Sequence, residues 1–150
     1  MPQDPESEAE LKNLAAVPYQ IVSPANNSSI IGIYQDSMLG SYQFTRPNIR
    51  FSPRDAMNIL MMFNNVNEHQ LLEDIKKDGG VTNFDILSQI MPPLSMKYKT
   101  KAFKDDKDDA KTSNAVIEIK NGTYMRGQMD KSVLGARSKG LLQRVCNDFG

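Results

Sequence analysis

The sequence has no tryptophan, one cysteine (Cys146) and one histidine (His69) among its 150 residues. A lone cysteine excludes an internal disulfide framework, and without a CxxC pair the usual zinc ribbons are excluded as well. Net charge is also missing: 18 Lys and Arg face 18 Asp and Glu, for a formal net charge of zero. That balance excludes a strongly basic DNA-coating protein and a highly charged disordered chain. No apolar run approaches the roughly 18 residues that cross a bilayer, and the acidic opening Asp4-Pro5-Glu6 lacks the basic and apolar regions of a signal peptide. The composition reads as that of a soluble, intracellular protein with no membrane partner. What is present is a 39% apolar content and nine methionines. A chain of this length can bury one sizeable core, and the methionines suit a plastic one.

The spacing predicts a first helix capped by Asp4, with Pro5 at its first position, Glu6 and Glu8 at the positive end of its dipole, and Pro18 as its stop. Short apolar pieces at 19–22 and 29–34 around the turn-forming residues 23–28 read as strand, loop, strand. Residues 35–40 read as one helical turn closed by Gly40, and 41–45 alternate as a strand does, so a β-rich unit is expected. Ser52, Pro53 and Asp55 open a second helix whose buried stripe would be Met57, Leu60, Met61 and Phe63. A short helix over 68–77 would stop at Gly79-Gly80. Thr82 and Asp85 are spaced as a capping box before Ile86, Leu87, Ile90 and Met91, and Pro92-Pro93 ends that helix.

Residues 96–103 alternate apolar and basic, with Lys97, Lys99 and Lys101 on one wet face. The acidic stretch 104–114 carries no apolar residue larger than alanine and is expected to be a mobile surface loop. Asn121-Gly122 between alternating runs marks a type I′ hairpin, here over 115–129, because both central residues need positive φ. A final helix over 140–149 would put Leu141, Leu142, Val145 and Phe149 on one face, after a basic, glycine-containing loop at 135–140. The expected fold class is α+β, a mixture of short strands and helices.

Self-contained chemistry is sparse. His69 and Glu73 could share a helix face, but no second histidine or HExxH accompanies them. The aspartates of 105–109 lack the glycine and terminal glutamate of an EF-hand loop, and no serine or cysteine has a nucleophile-like context. No catalytic residue and no metal ligand is therefore assigned. The basic candidates for phosphate contact are Lys97 and Lys99 on the strand, and Arg137 and Lys139 beside glycines that allow close approach to a ligand. The alternative for both groups is an ordinary charged surface.

The runs Met1-Pro2-Gln3, Glu8-Ala9-Glu10-Leu11, Ala16-Val17-Pro18, Gln20-Ile21-Val22-Ser23-Pro24 and Gly32-Ile33-Tyr34-Gln35-Asp36-Ser37-Met38-Leu39-Gly40 stand in an order that resembles the largest subunit of multisubunit DNA-dependent RNA polymerases. The likeness is dense over 1–46 and sparser afterwards, and the eukaryotic and large-DNA-virus branches look closer than the bacterial one. It implies a piece of a larger subunit, lying just after the aspartate-rich loop that binds the catalytic magnesium, with 1–17 as the tail of the active-site domain and 18–150 as pore region. It implies an enzyme that transfers nucleotides from NTPs to an RNA 3′ end, and a pore that admits NTPs and receives the RNA 3′ end on backtracking. By this resemblance Gln35, Asp36 and Arg46 lie near the nucleotide, the partners are other polymerase subunits, DNA template, RNA and NTPs, and the location is the nucleus or a viral replication compartment. Two departures stand out. The chain has no Asp-x-Asp-x-Asp sequence, so the magnesium of the complete enzyme would be bound outside it and the chain alone should be inactive. Residues 79–85 replace the family's Pro-Leu-Trp and Gly-Lys-Gln helix start, which removes a basic contact near the pore. The chain is expected to be a fragment or incomplete gene product. The competing reading is a stand-alone, non-catalytic binding or regulatory module that mimics a polymerase segment.

Overall fold

The computed structural model describes residues 2–105, 107 and 113–150. Of the loop expected over 104–114, residues 106 and 108–112 lie outside the described residues. Helix α1 (Pro5–Asn13) starts where the sequence indicates, with the Asp4 carboxylate accepting from the Ser7 amide at 2.7 Å. It stops four residues before Val17, and a 3₁₀ turn over Val17–Gln20 follows with Pro18 inside it. Ala16, which precedes that turn, is extended, at φ −61° and ψ 139°, so α1 has ended before Pro18 is reached.

The two short strands β1 (Val22–Ser23) and β2 (Ser28–Ser29) pair antiparallel, with Val22 opposite Ser29. The expected strand over 29–34 does not continue β2. Its backbone runs beside the loop near residue 136 instead: Ile33 N–H donates to Leu134 O at 2.9 Å, and Arg137 N–H donates to Ser29 O at 2.6 Å. Gly32 makes this approach possible, since a Cβ there would lie 2.0 Å from the Ala136 nitrogen.

Helix α2 (Gln35–Phe44) replaces both the single turn and the strand expected over 35–45, so this region is not β-rich. Met38, Tyr42 and Thr45 follow one another at helical spacing, and this period defeats the short alternation at 41–45 because distant side chains hold the helix end. Asn83 Nδ2 donates to Phe44 O and Arg46 O, Gln128 Nε2 donates to Tyr42 O at 2.8 Å, and the Met129 amide donates to the Thr45 hydroxyl at 2.9 Å. Gly40 does not stop the helix; it faces open space, and a Cβ there would meet nothing within 4 Å.

Strand β3 (Arg50–Phe51) pairs antiparallel with β4 (Val81–Thr82) and brackets α3 (Pro53–Leu60) and α4 (Glu68–Asp78). Ser52 caps α3, and Gly79, at φ 69°, closes α4 in the left-handed conformation. Of the stripe expected on α3 only Leu60 is buried, and Ala56 joins it on the buried face. Phe63 is about half exposed and Met61 84% exposed, because the helix ends at Leu60 and the chain leaves the core there; Met57, within the helix but off its buried face, is also about half exposed. Helix α5 (Asn83–Ile90) has the reciprocal capping box of Thr82 and Asp85.

Strands β5 (Met96–Lys99), β6 (Val116–Lys120) and β7 (Thr123–Arg126) form an antiparallel sheet in that order. The β6–β7 turn has Asn121 at φ 45° and Gly122 at φ 80°, as a type I′ hairpin requires. Helices α6 (Lys131–Leu134) and α7 (Leu141–Phe149) complete the chain. Leu141 is buried, but Phe149 at the end of the expected apolar face stays half exposed. Among the described residues the fold is α+β, with seven helices and three small antiparallel sheets.

Two apolar clusters result. One joins Leu94, Ile117, Ile119, Tyr124, Met129, Val133, Leu134 and Leu141 between the sheet and α6–α7. The other joins Ala56, Leu60, Leu71, Val81 and Ile86 among α3, α4 and α5. Helix α5 serves both, since Ile86 belongs to the second while Phe84 and Leu87 pack against the first.

Candidate functional site

Gln35 and Asp36 are exposed on the first turn of α2. Arg46 lies two residues beyond the other end, where its carbonyl is held by Asn83 and its guanidinium carbon sits 5.9 Å from the centroid of the Tyr42 ring. A ten-residue helix rising about 1.5 Å per residue keeps the two ends roughly 15 Å apart. The three residues expected near a nucleotide therefore stand at opposite ends of one helix, with Arg46 beyond its last residue, and share no recess.

Near the start of α2, the organising group is Asp130. It caps α6, one carboxylate oxygen accepting from Ser132 N (3.0 Å), Ser132 Oγ (2.6 Å) and Val133 N (3.2 Å). The other accepts from Lys101 N (2.9 Å) and Ala102 N (3.0 Å), which ties the chain leaving β5 to α6. Burial, and then the negative charge of Asp130, hold the Tyr98 phenol above its ordinary pKa.

Around this anchor opens a cleft of about 720 Å³, whose lining includes Tyr98, Lys101, Lys131, Arg137 and Lys139. A neighbouring recess is lined by Gln35, Leu39 and Tyr42 and shares Ala102, Asp130 and Lys131 with the cleft. Gln35 thus lines a recess that meets the cleft of Arg137 and Lys139 at these three shared residues. Backbone strain marks the groove of cleft and recess. Among the described residues, five besides glycine have left-handed backbone; three are asparagines, which tolerate it, and the others are Gln35 (φ 48°) and Arg137 (φ 58°).

Lys97 and Lys99 are not brought to this groove. They alternate with Tyr98 and stand exposed on β5; Lys97 lies opposite Glu118 and lines a separate recess with Lys120. Glu118 accepts from Lys120 Nζ at 3.2 Å and Arg126 Nε at 3.1 Å, bonds that hold its carboxyl below the usual range. That face is a mixture of both signs. His69 is exposed on α4, and among the described residues no three His, Cys, Asp or Glu side chains come together to hold a metal ion. No helix of the described residues is long and apolar enough to cross a membrane.

Sequence reasoning marked Arg137 and Lys139 but not Lys131, Asp130 or Tyr42. One local signal was available: Asp130 followed two residues later by Ser132 is an N-cap pattern. The convergence of Lys101 on Lys131 has no such signal, because it depends on where β5 ends against α6. What the groove offers chemically is concentrated positive charge over an open surface, suited to holding anions.

The family model for RNA polymerase Rpb1, domain 3, matches residues 20–150. The chain is 31% identical over 151 residues to DNA-directed RNA polymerase subunit 1 of Acanthamoeba polyphaga mimivirus and 29% identical over 157 residues to DNA-directed RNA polymerase subunit Rpo1N of Methanococcus vannielii. It is 26% identical over 150 residues to DNA-directed RNA polymerase II subunit RPB1-B of Trypanosoma brucei brucei. Each comparison takes in the whole of this chain, which spans only 9%, 17% and 8% of the respective relatives.

Proposed function

The chain belongs to the RNA polymerase Rpb1 domain 3 family, and on that premise we propose that it works as a pore-lining segment of the largest subunit of a DNA-directed RNA polymerase. The observation that carries this reading is the family match over 131 consecutive positions, residues 20–150. In the assembled enzyme, in-line nucleotidyl transfer adds NTPs to the RNA 3′ end, and magnesium supplies charge neutralisation for that step. The chain has no Asp-x-Asp-x-Asp sequence, and on this reading the ion is held by carboxylates outside it. The chain's own contribution is a wall. Gln35 and Asp36 present polar groups at the start of α2, and Arg137 and Lys139 draw phosphates toward the cleft that the recess of Gln35 meets. Arg46 contacts phosphate at the other end of α2, and Lys97 and Lys99 make weaker contacts, Lys97 because Glu118 lies opposite it.

Residues 1–17 belong with the preceding active-site domain in this reading, consistent with an α1 that buries none of its residues. Partners are the other polymerase subunits, template DNA, RNA and NTPs, and the compartment is the nucleus or a viral replication site. Gln35→Ala and Asp36→Ala, placed in the complete largest subunit, should slow elongation or alter transcript cleavage after backtracking. Normal elongation and cleavage in both variants would remove the pore assignment. The 150-residue chain alone should extend no primer, and template-dependent extension by it would place catalysis inside this segment.

A further inference from the structure

We propose that Met61 and Met62 form a reversible oxidation site, whose thioethers a hydroperoxide converts to sulfoxides ahead of the other described methionines. The two side chains stand 84% and 87% exposed, more than any other large apolar side chain among the described residues. Their exposure is fixed by the backbone. Helix α3 ends at Leu60, yet the Met61 amide still donates to Met57 O at 2.9 Å and the Phe63 amide donates to Leu60 O at 2.9 Å, so the turn that presents the pair is hydrogen-bonded on both sides of it. The chain offers its own references for comparison. Met57 and Met125 are about half exposed, and Met129 is 4% exposed inside the first apolar cluster. The pair lies on different residues from the groove of Gln35, Arg137 and Lys139, so the inference does not rest on the pore reading.

The step is an oxygen transfer. A lone pair of the methionine Sδ attacks one peroxide oxygen, the S–O bond forms as the O–O bond breaks, and the proton of the transferred oxygen passes to the departing one. The sulfur is oxidised to the sulfoxide, and hydrogen peroxide is reduced to water or an organic hydroperoxide to its alcohol. The surroundings receive the two products differently. Met62 lines a recess of about 540 Å³ with Phe63 and Ile90, and the same recess carries the carboxamides of Asn64, Asn65 and Gln89 and no charged side chain. Gln89 Oε1 already accepts from the Asn67 amide at 2.9 Å, which leaves its N–H groups to serve the recess. A Met62 sulfoxide oxygen, a strong acceptor, therefore meets amide donors, whereas Met61 is not part of the recess and leaves its oxygen to water. Oxidation turns an uncharged, largely apolar recess polar without touching either core cluster.

A time course of the 150-residue chain in dilute hydrogen peroxide, quenched, digested and read methionine by methionine by tandem mass spectrometry, tests the site. The same course in denaturant gives each residue's unprotected rate. Met61 and Met62 should react within about twofold of their unprotected rates, while Met129 should fall about tenfold or more below its own because it waits for local opening. Met57 and Met125 should lie between. Oxidation at Met61 and Met62 should leave the melting temperature unchanged, and epimer-specific methionine sulfoxide reductases with a dithiol should restore both thioethers, the oxygen leaving as water and the dithiol as its disulfide. The side-chain amide NMR signals of Asn64, Asn65 and Gln89 should move on oxidation and should stay in place in Met62→Leu, which keeps the recess apolar and the fold intact. Protection of Met61 and Met62 equal to that of Met57 and Met125, a fall in melting temperature that tracks their oxidation, or carboxamide signals that move as far in Met62→Leu overturns the proposal.

Discussion

On β6, Val116, Ile117 and Ile119 are closed to solvent, whereas Leu14, Val17 and Tyr19 after α1 stand about two-thirds exposed. The residue types are similar and the difference lies in what surrounds them. Strand β6 is central in its sheet and is flanked by β5 and β7, with α5 against β7 and Val133, Leu134 and Leu141 packed into the same cluster. Helix α1 buries nothing, and its ends are finished locally by the Asp4 cap and by Lys12, which pairs with Glu8 at 2.6 Å. Apolar composition is therefore a poor guide to core membership in this chain. Topology supplies the missing layer in one region, and no described element supplies it in the other.

The largest expected effect lies on the sheet side. Ile117→Ala removes a side chain at 0% exposure from the centre of the first cluster and should cost about 2–5 kcal/mol in denaturant unfolding. A loss below about 1 kcal/mol would mean that the cluster is loosely packed and that the contrast with α1 is shallow. Next comes the junction between the two clusters. Asn83→Ala strips Phe44 O and Arg46 O of their donor and should cost about 1–3 kcal/mol, loosening the end of α2 that carries Arg46.

Asn83 also marks where legibility ended. The caps of Asp4, Ser52 and Thr82, the left-handed stop at Gly79 and the Asn121-Gly122 hairpin depend on neighbours within a few residues, and the sequence shows them. Helix α2 depends on Asn83 and Gln128, 39 and 86 residues from their acceptors, so the alternation at 41–45 misled. The site divides in the same way. Arg137 and Lys139 are visible as a basic pair beside glycines, and Gln35 through its resemblance to the polymerase family. That Lys101 joins them while Lys97 and Lys99 do not follows from the end of β5 at Lys99 and the Asp130 anchor just beyond it, which composition and spacing do not contain.

A pH titration sharpens the comparison further. Burial pushes the Tyr124 phenol above its ordinary value of 10.0, and its hydroxyl donates to Gly127 O at 2.8 Å. Above about pH 10 the unfolded chain releases this proton while the folded chain retains it, so the unfolded state binds fewer protons and stability falls as pH rises. Tyr124→Phe should flatten that alkaline slope; an unchanged slope would place its source elsewhere. The smallest effect is expected at the other pole, where Leu14→Ser should change the unfolding free energy of the isolated chain by less than about 0.5 kcal/mol. A larger loss would show that Leu14 already packs within this chain.

The central claim is that the groove beginning at Gln35 faces the pore of an assembled polymerase. The most direct test is to place a photoreactive side chain at position 35 of the complete largest subunit, and in a parallel preparation at exposed position 62, then to irradiate a backtracked complex carrying labelled RNA. The account predicts crosslinking of the displaced RNA 3′ end from position 35 and none from position 62. Crosslinking from position 62 alone would contradict it.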